Sequence, residues 1–284
     1  MKTKTDYKIL GIMSGTSLDG VDLALCSFSK DKKWEYEIQK TKTILYSKDW
    51  KEKLNYLYQK SNKEIAEANS EYGKYLAILI LKFKQEHQLS FDYIASHGHT
   101  IFHQPENNFT LQIGCGKTIS ETTKITTIND FRSLDISLGG QGAPLVPVGD
   151  LHLFTEYKYC LNLGGFSNIS IKEKEKIIAF DICPVNIVLN QLSQNLGLEF
   201  DKNGDFAKSG NLIPELLNKL NELDYYKQKP PKSLAREWVE KNINPLLTPK
   251  QKTEDLLHTL CEHIAIQISK YLMDEKALFS GGGV

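Results

Sequence analysis

A loop of small polar residues directly after the first apolar segment is the feature that most constrains the fold. Residues 7–13 (YKILGIM) predict a buried strand, and residues 21–28 (VDLALCSF) alternate as a second strand would. The loop between them, SGTSLDG over residues 14–20, is longer than a tight hairpin turn requires. Glycine exposes backbone N–H groups, and serine and threonine add hydroxyl donors, so the loop is suited to binding phosphate. An ordinary turn is the alternative.

The same pattern recurs in the second half of the chain. Residues 157–172 (YKYCLNLGGFSNISIK) predict a strand, a loop and a return strand, and residues 176–182 (KIIAFDI) predict a further strand. This self-similarity predicts a duplicated α/β architecture. Glycine and proline cluster in GGQGAPLVPVGD, so we place the domain boundary there, with domains at 1–140 and 141–284. Helices are expected over residues 50–88, 185–197, 211–223 and 252–273.

The first loop belongs to neither of two common types of phosphate-binding loop. It has neither the GK[ST] ending of a Walker loop nor the G-x-G-x-x-G spacing of a dinucleotide fold, and a strand follows it rather than a helix. A duplicated phosphate-binding hairpin is the layout of the actin, hexokinase and Hsp70 superfamily. The fold expected from this similarity is α/β, with two actin-like ATPase (ribonuclease H-like) domains and a nucleotide cleft between them.

Composition narrows the class of partner. Lysine plus arginine equals aspartate plus glutamate at 35 each, which argues against a nucleic acid or an anionic membrane surface. The N-terminus lacks the apolar region of a signal peptide, and no apolar stretch is long enough to span a membrane. The five cysteines are scattered and odd in number, which favours a reducing cytoplasmic setting. A small-molecule partner is expected.

Six segments, in order along nearly the whole chain, resemble the anhydro-N-acetylmuramic acid kinase family. They are GIMSGTSLDGVD (11–22), SHGHTIFHQP (96–105), TLQIG (110–114), NDFRSLDISLGGQGAPLVP (129–147), LNLGGFSNIS (161–170) and PPKSLARE (230–237). The resemblance implies an amino-sugar substrate, 1,6-anhydro-N-acetylmuramic acid, from cell-wall recycling. Water opens the anhydro ring, O6 takes the γ-phosphoryl group of ATP with Mg²⁺, and N-acetylmuramic acid 6-phosphate is formed.

The resemblance also implies nucleotide-binding residues. The first loop, the second loop and the terminal glycine turn are expected to contact ATP, the last of these at the adenosine. These residues are Gly15, Thr16, Ser17, Leu18, Asp19, Gly20, Val21, Asp22, Gly164, Gly165, Asn168, Gly281, Gly282 and Gly283. Asp19 is also a candidate to orient a magnesium-bound water or the sugar, with a turn aspartate as the alternative.

Asp181 aligns with the family's catalytic base and is expected at the end of the strand KIIAFDI. The family motif Asp-Thr-Gly-Pro-Gly-Asn here reads Asp-Ile-Cys-Pro-Val-Asn over residues 181–186. Val185 should resist any positive φ that the usual glycine adopts. A carboxylate that only stabilises a helix N-terminus is the alternative role for Asp181.

Four residues are expected to contact the sugar. By resemblance, Arg132 binds the sugar carboxylate with its planar fork, and Asp135, Thr100 and Gln141 lie nearby. A structural salt bridge within DFRSLD is the alternative for Arg132 and Asp135.

Other features leave alternatives open. The spacing of His97, His99 and His103 permits a metal site, but no cysteine or carboxylate in the segment completes one. The chain ends in a triple glycine before Val284, so we expect that the family's C-terminal part is absent. The competing functions are a non-catalytic sugar- or nucleotide-binding member, an actin-like assembly ATPase, and a kinase for another anhydro-sugar. A homodimer is expected from the family.

Overall fold

A computed structural model describes residues 6–15, 18–174, 176–248 and 250–284. The chain divides into two compact units, one up to Leu145 and one from Val146. This division lies inside the Gly- and Pro-rich stretch, a few residues beyond the boundary expected at 140/141.

The first unit is built on a mixed sheet with the order β3-β2-β1-β4-β7. Strands β1, β2 and β3 are antiparallel neighbours, whereas β4 runs parallel to β1 and β7 parallel to β4. A separate antiparallel pair, β5 and β6, follows β4. The strands are β1 (Asp6–Met13), β2 (Gly20–Lys30), β3 (Trp34–Leu45), β4 (Tyr93–Ser96), β5 (His99–Gln104), β6 (Phe109–Ile113) and β7 (Thr126–Asn129).

The longest helix of this unit contributes most of the helical side chains in the apolar core. The helices are α1 (Lys48–Tyr56), α2 (Asn62–Glu86), α3 (Gly116–Thr123) and α4 (Ser133–Ser137), with 3-10 turns at Leu57–Gln59 and Pro105–Asn107. The single helix expected over 50–88 is broken because Ser61 and Glu64 form a capping box that begins α2. Buried side chains then recur at helical spacing along α2, including Tyr72, Leu76 and Ile80, and pack against the buried side chains of β1, β2 and β4.

The second unit repeats the arrangement of the first. Its sheet has the order β10-β9-β8-β11, with β8, β9 and β10 antiparallel and β11 parallel to β8. Thus β8, β9, β10 and β11 take the places of β1, β2, β3 and β4, and the duplicated α/β fold expected from the sequence is confirmed. These strands are β8 (Tyr159–Leu163), β9 (Phe166–Glu173), β10 (Lys176–Pro184) and β11 (Ala277–Ser280).

Two apolar clusters hold the second unit together. One joins α6 to α10, and the other places the sheet against α10 through Ile264 and Ile268. The helices are α5 (Val146–Leu153), α6 (Asn186–Gln194), α7 (Asp205–Ser209), α8 (Pro214–Asn221), α9 (Arg236–Asn242) and α10 (Thr253–Ser269), with 3-10 turns at Lys202–Gly204, Asp224–Lys227 and Asn244–Leu246. Within the described ranges, none of the helices combines the length and apolar character that a membrane crossing demands.

Candidate active site

The first glycine loop connects β1 to β2. Thr16 and Ser17, two of its expected phosphate ligands, lie outside the described residues. Leu18 has a positive φ of 59°, and its N–H donates to the carbonyl of Gly15 over 3.4 Å. Asp19 follows and is exposed, which leaves its carboxylate accessible to a ligand.

Residues 20–22, at the end of the same loop, have structural roles. A Cβ on Gly20 would overlap the carbonyl of Ile44, so glycine is required there for β2 to approach β3. Val21 is fully buried in the core, and Asp22 accepts a 2.6 Å hydrogen bond from the hydroxyl of Thr43. Any contact of Val21 with a nucleotide therefore involves its backbone.

The turn after β4 is joined to the first loop. The buried hydroxyl of Ser14 donates to the carbonyl of Gly98 over 2.9 Å, and the His97 N–H donates to the carbonyl of Ile12 over 3.0 Å. Gly98 has a φ of 74°, which favours glycine. Thr100 follows on β5, half-buried and opposite Gln112 of β6.

Arg132 is held by His97, a residue whose role the sequence did not indicate. The guanidinium donates through Nε and Nη2 to Nε2 of His97, at 3.2 and 2.7 Å, and through Nη1 to the carbonyl of Gly142 at 2.6 Å. Nδ1 of His97 lies 2.9 Å from the carbonyl of Gly98, so Nδ1 carries the proton and Nε2 is the acceptor. Burial lowers the pKa of His97, the hydrogen bond to the Gly98 carbonyl acts in the opposite direction, and the charge of Arg132 lowers the pKa further, so the net shift favours the neutral ring.

Asp135 shapes the glycine-rich loop beside Arg132. Its Oδ2 accepts a 2.6 Å hydrogen bond from the Gly142 N–H, and its backbone carbonyl accepts one from the Gly140 N–H. Gln141 lies exposed between those two glycines. Asp135 thus positions the loop that carries Gln141 and the carbonyl that binds Arg132.

The three histidines considered for a metal do not converge. His97 binds Arg132, whereas Nδ1 of His103 lies 3.2 Å from the hydroxyl of Thr110. Burial, and then the nearby His97, lower the pKa of His99 to about 4. In the part of the chain that the structure describes, no group of three or more His, Cys, Asp or Glu side chains is arranged to hold a metal ion.

In the second unit, the predicted glycine segments meet at the end of β8. The Gly283 N–H donates to the carbonyl of Leu163 over 2.9 Å, and the side-chain amide of Asn186 donates to the same carbonyl over 3.3 Å. The carbonyl of Gly165 accepts hydrogen bonds from the N–H groups of Val185 and Ile187, at 2.8 and 3.1 Å. The second loop, the start of α6 and the terminal turn are therefore neighbours.

At several glycines of this junction, an added Cβ would make only ordinary van der Waals contacts. A Cβ on Gly165 would have its nearest neighbour at 3.9 Å, on Ile187, and a Cβ on Gly282 would be 3.9 Å from Asn186. Gly164 has a nearest neighbour at 3.4 Å. The packing of the protein does not require glycine at these positions, whereas a ligand that approaches the backbone would. Gly281 differs, because its φ of 96° itself favours glycine.

Asp181 lies within β10, which continues to Pro184, so the expectation that it ends the strand is wrong. A β-bulge between Asp181 and Cys183 interrupts the pairing with β9, where Asp181 is opposite Asn168. Bulges commonly redirect a side chain beside a functional site. Burial raises the pKa of Asp181, although a 2.9 Å hydrogen bond from the Leu234 N–H to Oδ2 acts in the opposite direction.

The two unusual residues of the Asp181 motif fit their places without left-handed backbone. Val185 has φ −127° and ψ −101°, precedes α6, and is buried. Cys183 is fully buried, and burial raises the pKa of its thiol to about 12, so it is a neutral packing group.

Lys232, Ser233 and Arg236 of PPKSLARE approach different surroundings. The Lys232 ammonium lies over the ring of Tyr225, and the Lys232 carbonyl accepts a hydrogen bond from the Asp181 N–H, whereas Arg236 forms an exposed ion pair with Glu240 at 2.9 Å. This segment contacts Asp181 through its backbone, and such a contact has no signal in the sequence.

Each of the two sheets has a glycine loop directly after its first strand. This duplicated arrangement defines a protein of the actin-like ATPase class. The profile of the anhydro-N-acetylmuramic acid kinase family matches residues 7–284. The chain belongs to this family. It is 35% identical to the anhydro-N-acetylmuramic acid kinase of Pseudomonas syringae pv. tomato over 98% of its length and 80% of that protein. It is 37% identical to that of Pseudomonas fluorescens over 96% of its length and 80% of that protein.

The solved structure of the ethanolamine utilization protein EutJ from Carboxydothermus hydrogenoformans aligns with 98% of this chain, and the alignment covers 85% of the EutJ chain. The TM-score is 0.33 at 10% identity, too low to bear on fold or function.

Proposed function

We propose that the protein transfers the γ-phosphoryl group of ATP to O6 of 1,6-anhydro-N-acetylmuramic acid while water opens the anhydro ring. The product is N-acetylmuramic acid 6-phosphate. Membership of the kinase family supports this reaction class. The observation that carries the hydrolytic half is Asp181, a half-buried carboxylate whose pKa is raised, on the strand that leads to Val185 and its hydrogen bond with Gly165.

Asp181 acts in this proposal as a general base. It takes a proton from the water that attacks the anomeric carbon, as the bond from that carbon to O6 breaks and O6 gains the phosphoryl group. A raised pKa makes the carboxylate a stronger base than an ordinary aspartate. Oδ2 is held by the Leu234 N–H, so Oδ1 is the oxygen we assign to the proton.

Residues of the first unit are proposed to bind the sugar. Arg132 retains guanidinium N–H groups beyond those bound by His97 and Gly142, and these suit the sugar's carboxylate. The hydroxyl of Thr100 and the exposed amide of Gln141 are proposed to contact the ring substituents.

Within the second unit, the nucleotide is proposed to lie against the glycines of the second loop and of the terminal turn. An added Cβ at Gly164, Gly165 or Gly282 would meet no protein atom closer than 3.4 Å, so packing does not account for glycine there. A phosphate bound by backbone N–H groups that no side chain shields would account for it. ATP supplies the phosphoryl group, and Mg²⁺ supplies charge neutralisation at the phosphates. Asp19 is exposed and is our candidate to orient a magnesium-bound water.

A coupled ADP-release assay with product mass spectrometry tests the proposal. We expect ADP and N-acetylmuramic acid 6-phosphate in equal amounts with 1,6-anhydro-N-acetylmuramic acid, and slower reaction with 1,6-anhydro-N-acetylglucosamine, which lacks the carboxylate. ATP binding without turnover would instead identify a non-catalytic member, and ATP-dependent filaments in sedimentation would identify an assembly ATPase.

We also propose that the protein works in the cytoplasm. Its five cysteines, Cys26, Cys115, Cys160, Cys183 and Cys261, are all free thiols, as a reducing compartment favours.

A further inference from the structure

One segment of the second unit binds three different polar groups of Asp181. The Asp181 N–H donates to the carbonyl of Lys232 over 3.1 Å. The backbone carbonyl of Asp181 accepts a 2.6 Å hydrogen bond from the hydroxyl of Tyr225, and Oδ2 accepts the 2.9 Å bond from the Leu234 N–H. We call residues 225–234 the clasp segment.

The clasp segment covers an exposed sheet edge. β10 is the outermost strand of its sheet, with β9 as its neighbour on one side only. Next to the bulge, the β9 ladder constrains Asp181 less than a regular pairing would. The orientation of Asp181 therefore depends on the contacts at its outer edge, which are those of the clasp segment.

Tyr225 and Lys232, near the two ends of the clasp segment, contact each other. The Lys232 ammonium donates to the carbonyl of Tyr225 over 3.1 Å and lies 4.5 Å from the centre of its ring. The Tyr225 side chain is 4% exposed, and its ring lies 5.3 Å from that of Trp238. A buried ring with its hydroxyl fixed on the Asp181 carbonyl is a rigid support.

We propose that Tyr225, together with Lys232, is a positioning residue for Asp181. The clasp segment fixes the strand through the Asp181 carbonyl and fixes Oδ2 through the Leu234 N–H. It thereby presents Oδ1, which has no hydrogen bond from any residue in the described ranges, in one orientation. This inference rests on the proposed role of Asp181 as the base.

Tyr225→Phe tests the inference, and Tyr226→Phe is its matched control. The two tyrosines are adjacent, and each change removes one hydroxyl from a hydrogen bond within the protein. The hydroxyl of Tyr226 pairs with Nε2 of His263 at 2.9 Å rather than with Asp181. We expect Tyr225→Phe to lower kcat roughly 10- to 100-fold with KM for ATP almost unchanged, because small misplacements of a reacting group are costly. Tyr226→Phe should leave kcat close to that of the original protein.

A double-mutant cycle with Asp181→Asn separates positioning from general destabilisation. If Tyr225 acts through Asp181, Tyr225→Phe has little further effect on the residual kcat of Asp181→Asn. Equal kcat for Tyr225→Phe and Tyr226→Phe, or fully multiplicative effects in the cycle, would overturn the inference.

Hydrogen exchange of the Leu234 amide tests whether Tyr225 holds the clasp segment in place, even if the protein is inactive on this sugar. That amide should exchange faster in Tyr225→Phe than in the original protein and remain protected in Tyr226→Phe. Unchanged protection in Tyr225→Phe would refute the clasp. Failure of the proposed function would appear separately, as absence of turnover in the original protein or as an active Asp181→Asn.

Discussion

Gly165→Ala tests whether position 165 needs glycine because a ligand approaches its backbone or because the fold requires it. A methyl group at Gly165 would be 3.9 Å from its nearest neighbour, on Ile187, and the residue has no positive φ. The folded protein can therefore accept alanine, and the lower entropy of the unfolded chain should make it more stable by about 0.4–1 kcal/mol. Gly281→Ala should instead cost roughly 1–3 kcal/mol, because φ is 96° and the new Cβ would lie 2.7 Å from the carbonyl oxygen of Leu163.

ATP affinity should change in the opposite sense to stability in Gly165→Ala. If phosphate oxygens approach this backbone, the methyl group displaces one of them from an N–H donor. Each such charge-assisted bond contributes about 1.5–3 kcal/mol, so the Kd for ATP should rise roughly 10- to 100-fold.

Calorimetric titration with ATP and urea unfolding measure the two quantities. Gly149→Ala is the matched control, because a Cβ on Gly149 would have no neighbour within 4 Å and the residue lies outside the proposed site. Normal ATP affinity in Gly165→Ala would show that the nucleotide does not approach the second loop.

Three further predictions concern pH, the sugar site and the first sheet. Because burial raises the pKa of Asp181, kcat should fall on acidification at a higher pH than for an ordinary aspartate. A carboxyl group whose pKa is raised by folding stabilises the folded protein while it is protonated, and this contribution is lost as pH rises through its folded-state pKa. Asp181→Asn should therefore unfold at a higher temperature than the original protein at neutral pH, and a lower melting temperature would contradict this. His97→Phe removes the acceptor of the Arg132 guanidinium and should raise KM for the sugar; an unchanged KM would show that His97 does not position Arg132 for the substrate. Gly20→Ala should cost roughly 1–3 kcal/mol in urea unfolding through overlap with Ile44, and an unchanged stability would contradict that packing.

The duplicated fold could be predicted from the sequence because its strands are short, apolar and punctuated by glycine. β1, β2, β8 and β9 lie close to the expected ranges, since alternation of side chains and loop residues both identify them. The break between α1 and α2 was missed because apolar spacing continues across it, and only the capping box at Ser61 stops the helix.

The contacts that shape the candidate site depend on tertiary structure. The pairing of His97 with Arg132 joins residues 35 positions apart, and the bond from Leu234 to Asp181 spans 53 positions and uses a backbone N–H that any residue but proline provides. Such contacts leave no periodicity or composition in the sequence. The bulge at Asp181 was likewise invisible, so the strand appeared to end there.

The turnover of Asp181→Asn with 1,6-anhydro-N-acetylmuramic acid and ATP tests the central claim most directly. Asparagine keeps the shape of the side chain and an oxygen for the Leu234 N–H but cannot accept the proton of water. We predict normal ATP binding and a kcat at least about 100-fold below that of the original protein. Near-normal kcat in this variant would contradict the assignment of Asp181 as the base.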